Sequence, residues 1–189
     1  NLKVIKSLED FQVNYVGVGR RGIVESMLYN TCVFRVDFDS VFVQPKEKKV
    51  FVTILDEEQI SIRLEDEPEK ETTLRFGELY DKEGFKFKII KRSPEKSVYS
   101  KGFSNSFYFY FTNPVKLANQ YRNSLTVSPK DKDASVVLLS ILGFVPDQAS
   151  DYLNKLMDIY IDYGLGYKKE IATKTITFIN EQLEIIADS

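Results

Sequence analysis

The chain has 189 residues, 43% apolar and 29% charged, with 14 Phe, 11 Tyr, one Cys and a net charge of −2. This is enough apolar mass for one α+β-sized core, and the near balance of charge gives no global attraction to nucleic acid or anionic lipid. There is no histidine in the sequence, which excludes Ser-His-Asp and Cys-His catalysis and His-ligated zinc within it, and the single Cys32 can form neither an intrachain disulfide nor a Cys-rich metal site.

The chain opens with a short amphipathic segment (Leu2, Val4, Ile5, Leu8), then an extended piece around Phe11, Val13 and Tyr15. A glycine-punctuated turn is expected at 17–22, followed by Ile23 to Tyr29. The stretch Gly17-Val18-Gly19-Arg20-Arg21-Gly22 fits the spacing of a nucleotide-binding loop, with Asp37 twenty residues beyond Gly17. Polar Gln12 and Asn14 alternate with the apolar residues before it, and no βαβ continuation follows, so a turn with positive φ is the better reading.

From 33 to 64 apolar residues alternate with period two: Phe34, Val36, Phe38; Val50, Val52, Ile54; Ile60, Ile62, Leu64. Pro45 with Lys46-Glu47-Lys48-Lys49, and then Asp56-Glu57-Glu58, separate the runs. Such short links predict an antiparallel meander. Residues 65–106 are read as loops or peripheral hairpins with segregated charge. Residues 56–71 hold eight acids against two bases, and residues 81–101 hold seven bases against three acids. Solvated hairpins account for this, as would patches that meet across a subunit boundary or face an acidic polymer. The carboxylate pairs Asp37/Asp39 and Asp56/Glu57/Glu58 carry no further catalytic signature.

Phe107-Tyr108-Phe109-Tyr110-Phe111 is aromatic on both faces of a strand. A central strand covered on both sides has this pattern, and so does a sugar-stacking platform. Asn113 and Pro114 suit the cap and first position of a helix, with Val115, Leu117, Ala118 and Tyr121 on its apolar side to about Asn123. Leu125 to Ser128 reads as extended, Asp131-Lys132-Asp133 as a turn, and Ala134 to Leu142 as a buried strand. Pro146 opens a helix whose apolar pattern (Ala149, Leu153, Leu156, Tyr160, Tyr167, Ile171, Phe178, Leu183, Ile186) continues to the last residues, with Gly164 and Gly166 as candidate kinks. A helix of that length outruns a compact domain, so it must find a partner beyond it or stay partly uncovered. The start at Asn1 and the stop within a helical pattern read as a piece of a longer protein.

The segment from Asn113 to Ser189 resembles the polysaccharide co-polymerase, or chain-length determinant (Wzz-like), family. The resemblance rests on Leu117, Ala118 and Tyr121; Leu125-Thr126-Val127-Ser128-Pro129; Ala134 to Leu138; Gly143, Pro146 and Ala149; and Leu153-Asn154, Leu156, Tyr160, Thr175, Phe178-Ile179, Gln182 and Leu183. The start (Val4, Ser7, Leu8, Tyr15, Gly19-Arg20, Glu25 to Tyr29) is similar, more loosely, to the branch associated with an exopolysaccharide tyrosine kinase.

The resemblance implies an α+β fold with an antiparallel-rich sheet, flanking helices and a long C-terminal helix. Residues 1–145 would form a periplasmic base domain with peripheral hairpins, and 146–189 a helix continuing toward a membrane segment of a bacterial inner-membrane protein. It further implies a homo-oligomer that sets the length, or supports the export, of a capsule, O-antigen or exopolysaccharide, in contact with a polymerase or export channel and with the polysaccharide itself. No nucleic acid, cofactor, metal or catalytic residue is expected. Tyr167, Ile171, Phe178, Ile179 and Leu183 are the candidate oligomer contacts. The rival readings are a carbohydrate-binding module using strand 107–111 and an enzyme with a carboxylate site.

Overall fold

A computed structural model of the chain describes residues 2–8, 11–19, 22, 24–101, 104–131, 136–143 and 145–187. The elements are α1 (Leu2–Ser7), β1 (Val13–Val18), β2 (Glu25–Leu28), β3 (Phe34–Asp37), β4 (Val50–Ile54), β5 (Gln59–Leu64), β6 (Glu67–Arg75), β7 (Leu79–Lys82), β8 (Phe85–Lys91), β9 (Ser106–Phe111), α2 (Pro114–Ser124), β10 (Leu125–Pro129), β11 (Val137–Ile141) and α3 (Pro146–Ala187). A six-stranded sheet has the order β2-β1-β9-β4-β5-β6, a three-stranded sheet β3-β8-β7, and β10 pairs with β11. All strand pairs are antiparallel, and with the three helices this makes an α+β fold.

The period-two runs explain how the two larger sheets meet. Val13 and Tyr15, Val50, Val52 and Ile54, Ile60, Ile62 and Leu64, and Phe109 and Phe111 all point from the six-stranded sheet into one core. Phe34 and Val36, Tyr80, and Phe85, Phe87 and Ile89 enter it from the three-stranded sheet. Phe87 meets Phe109 edge-to-face with ring centroids 5.1 Å apart, and the Tyr15 hydroxyl accepts a 3.0 Å hydrogen bond from the Val36 amide. The strand 107–111 is therefore central, between β1 and β4, and Phe109 is 0% exposed. Burial, rather than an open stacking platform, accounts for its aromatic run.

The structure corrects the expected meander. β3 leaves β4 and pairs with β8 instead. The link from 38 to 49 crosses from one sheet to the other, held by Gln44, whose side-chain amide donates to the Lys86 carbonyl and accepts from the Lys86 N–H (2.5 and 3.1 Å). A buried glutamine that both donates and accepts imitates a strand neighbour, a pairing that an alternation pattern does not register. The 65–106 stretch is also more central than expected: β6 is an edge strand, but β8 is the middle of its sheet and buries Phe85, Phe87 and Ile89.

Gly17 lies inside β1 rather than in the turn. The turn is closed by the Gly19 amide on the Val24 carbonyl (2.7 Å) and the Gly22 amide on the Gly19 carbonyl (2.8 Å), with Gly22 at φ 68°. β2 follows antiparallel to β1, so a hairpin stands where a dinucleotide loop requires a helix. Arg20, Arg21 and Ile23 of this stretch lie outside the described residues.

A second apolar cluster forms where α1, α2 and the foot of α3 gather. Val4, Ile5, Phe11, Tyr29, Leu117, Ala118 and Tyr152 are buried there. α2 begins as the sequence predicts: the Asn113 side chain accepts hydrogen bonds from the Val115 and Lys116 amides, and Pro114 fills the first position. Val115, expected on the apolar side, is exposed. β11 is the other correction. Val137 and Leu138 are exposed, because among the described residues β11 pairs only with β10 and no further sheet covers it. The expected turn at Asp131-Lys132-Asp133 and the strand start at Ala134 and Ser135 fall partly outside the described residues.

Candidate functional site on the uncovered helix

α3 has 42 residues and runs through Gly164 and Gly166 as continuous α-helix, a length of ~63 Å at ~1.5 Å per residue. Only its foot is inside the domain. Tyr152 is 0% exposed and touches Tyr121 with ring centroids 4.4 Å apart, and Leu153, Leu156 and Ile159 pack on the same cluster. From Tyr160 to Ile186 every residue is exposed, apart from Gly164, which is half-buried.

The uncovered length is not polar. Tyr160, Tyr167, Ile171, Phe178 and Ile185 are spaced by sevens and fours, so they fall on one line along the helix. Ile179 and Leu183, with Leu165 and Ile176, form a second line about a third of a turn away at ~100° per residue. All five candidate contacts, Tyr167, Ile171, Phe178, Ile179 and Leu183, are thus exposed on α3, three on the first line and two on the second. Phe178 alone is 60% exposed. Isolated surface leucines need no explanation, but two exposed apolar lines of this length are the mark of a contact surface. No helix among the described residues is long and apolar enough to cross a membrane.

Three of the carboxylates singled out in the sequence, Asp39, Asp56 and Glu57, serve local structure. Asp56 accepts from the Glu58 and Gln59 amides (2.7 and 2.8 Å), and Asp39 from the Val41 amide (2.8 Å). Glu57 is bonded by the Ser97 hydroxyl, the Val98 and Tyr99 amides and Lys91, and the Ser97 bond leads in holding its pKa down to about 2. The acidic and basic segments therefore meet inside one subunit, at Glu57 and Lys91 (3.3 Å). Among the described residues no group of three His, Cys, Asp or Glu is placed to hold a metal. Cys32 is buried, and desolvation raises its pKa to about 11, which leaves a structural thiol.

No family model matches this chain. Part of it is similar to the tyrosine-protein kinase wzc of Salmonella typhi, 34% identical over 67 residues, 35% of this chain and 9% of that protein. The tyrosine-protein kinase wzc of Salmonella typhimurium is 33% identical over 67 residues, with the same shares. The match thus spans less than a tenth of the length of these curated relatives.

Proposed function

We propose that this chain is the oligomerising domain of a protein that regulates the chain length or export of a surface polysaccharide. The observation that carries the reading is the uncovered length of α3, whose apolar lines are covered by none of the described residues. The partial similarity to the tyrosine-protein kinase wzc, together with the chain-length-determinant pattern between Asn113 and Leu183, supports the polysaccharide context.

In this reading the base domain of residues 1–145 sits in the periplasm and the helix of 146–189 runs toward the inner membrane. Copies of the chain pack along Tyr167, Ile171, Phe178, Ile179 and Leu183. The assembly acts on a polymerase or export channel, and any tyrosine kinase belongs to another part of the intact protein.

The test uses the intact protein. Phe178→Glu and Ile179→Glu each put an unpaired charge into the packed face, a change costing ~3–5 kcal/mol where such a contact is buried. The expected result is a weakened assembly and an altered distribution of polymer lengths on a gel, with an unchanged circular dichroism spectrum. Unaltered polymer length despite a measurably broken assembly would overturn the reading.

A further inference from the structure

A cleft of about 240 Å³ opens where the outer face of the six-stranded sheet meets α2 and the corner between β11 and α3, away from the exposed length of the long helix. Its polar wall is made by Asn14 of β1, Tyr110 of β9, Gln120 and Ser124 of α2 and Gln148 of α3. Met27, Leu117, Ile141, Leu142, Val145 and the ring of Tyr121 form its apolar side. Among the described residues no charged side chain lines it, whereas the clefts at Arg35 and Asp37 and at Lys48 and Asp66 are walled by charge.

The parts of this cleft are held in place. Asn14 and Tyr110 are direct neighbours in the β1–β9 register, which sets their side chains beside each other on one face of the sheet. Tyr121 is fixed between Tyr152 and Phe11, at centroid distances of 4.4 and 5.5 Å. The Ser124 hydroxyl donates to the Gln120 carbonyl (3.1 Å). The side-chain amides of Gln120 and Gln148 make no hydrogen bond to another described residue, so each offers two donor hydrogens and an acceptor oxygen toward the cleft.

This lining selects its ligand by chemistry. A phosphate or carboxylate would find no cation, and a metal ion no carboxylate. A purely apolar ligand would strip water from the amides and leave them unpaired. A sugar ring meets every requirement: its hydroxyls donate and accept as amides do, and its C–H face lies on an aromatic ring. The volume is below the ~300–1,000 Å³ of sites for drug-sized ligands, which leaves room for one ring and excludes a nucleotide. We propose that this cleft is a subsite for a single uncharged pyranose unit of a saccharide chain. The inference goes beyond the assembly reading and does not depend on it, since no candidate oligomer contact lines the cleft.

The test is a titration of the nitrogen-15-labelled chain with maltotriose, cellotriose and mannotriose, with trigalacturonate as the charged counterpart and glycerol as the ringless one. At least one uncharged trisaccharide should move the side-chain amide resonances of Asn14, Gln120 and Gln148 together, saturating in the millimolar range. The double variant Gln120→Ala/Gln148→Ala should bind it about tenfold more weakly or worse. The proposal is overturned if no uncharged trisaccharide moves these three amides, if the double variant binds equally well, or if trigalacturonate or glycerol binds as tightly. A broken assembly in the Phe178→Glu protein would leave these shifts in place, so the two readings fail separately.

Discussion

The Tyr29 hydroxyl donates a 2.9 Å hydrogen bond to the carboxylate of Asp151, fastening the end of the first hairpin to the foot of α3. The same residue stands edge-on to Phe11, with centroids 5.8 Å apart, and its carbonyl accepts from the Arg92 guanidinium at 3.4 Å. Tyr29 therefore ties together the hairpin, the three-stranded sheet and the long helix.

Replacing Tyr29 by Phe keeps the ring contacts and deletes the bond to a charged acceptor. Such a bond in a half-buried setting contributes ~1–2 kcal/mol. The urea midpoint of Tyr29→Phe should fall while the slope of the transition stays the same. An unchanged midpoint would show that the hydroxyl does not secure α3.

Cys32 should be chemically silent in the folded chain. Burial removes solvent from the thiolate and pushes the pKa from 9.0 up to about 11, so the thiol is neutral at pH ~8. The raised pKa favours the folded state at every pH below the unfolded value, and this contribution is lost as the pH rises from 9.0 through about 11. Ellman's reagent should react slowly with the native protein and quickly in guanidinium. Equal rates would mean that the core around Phe34 and Cys32 opens readily.

Glu57 sets an acid-sensitive clamp. Its carboxylate is held at about 2, first by the Ser97 hydroxyl and then by the Val98 and Tyr99 amides and Lys91. Its contribution is full above the ordinary 4.5 and disappears as the pH falls toward about 2. Hydrogen exchange at the Val98 and Tyr99 amides, corrected for the intrinsic pH dependence, should speed up across that window. Glu57→Gln should raise exchange at neutral pH and flatten the acid response. A variant that keeps the wild-type pH profile would assign the clamp to another group.

The sequence displays what depends on local periodicity and conceals what depends on contact across the chain. The alternation at Val50-Val52-Ile54 and Ile60-Ile62-Leu64 exposes β4 and β5 because one face of each is buried. Asn113-Pro114 and Pro146 mark helix starts because cap chemistry is local. The crossing of β3 to the second sheet was not legible, since it rests on the Gln44 side chain meeting Lys86 forty-two positions away. The apolar run ending at Leu142 reads like a core strand, yet Leu142 is 90% exposed, because composition carries no information about which sheet stands opposite. The uncovered face of α3 was legible from its length alone. The cleft was not, because Asn14, Gln120 and Gln148 come from three elements far apart in sequence.

The uncovered length of α3 should report its own partner through hydrogen exchange. Up to Ile159 the helix is backed by the cluster around Tyr152, so its amides should be protected in any state of assembly. Beyond Tyr160 a single copy offers little support. Gly164 and Gly166 each cost ~1 kcal/mol relative to Ala in a helix. The hydroxyls of Thr173, Thr175 and Thr177 bond back to carbonyls four residues earlier (2.9, 2.9 and 3.1 Å), which slightly weakens a helix. Against this, the Glu170–Lys174 pair at 2.7 Å adds only ~0.3–0.5 kcal/mol. In dilute solution the amides from Leu165 onward should therefore exchange much faster than those of 149–159. If a second copy covers the apolar lines, protection of 165–186 should rise with protein concentration while that of 149–159 stays constant. Phe178→Glu should keep the dilute profile and abolish the rise. Concentration-independent protection along the whole helix, or a rise that survives Phe178→Glu, would remove the self-association surface from α3.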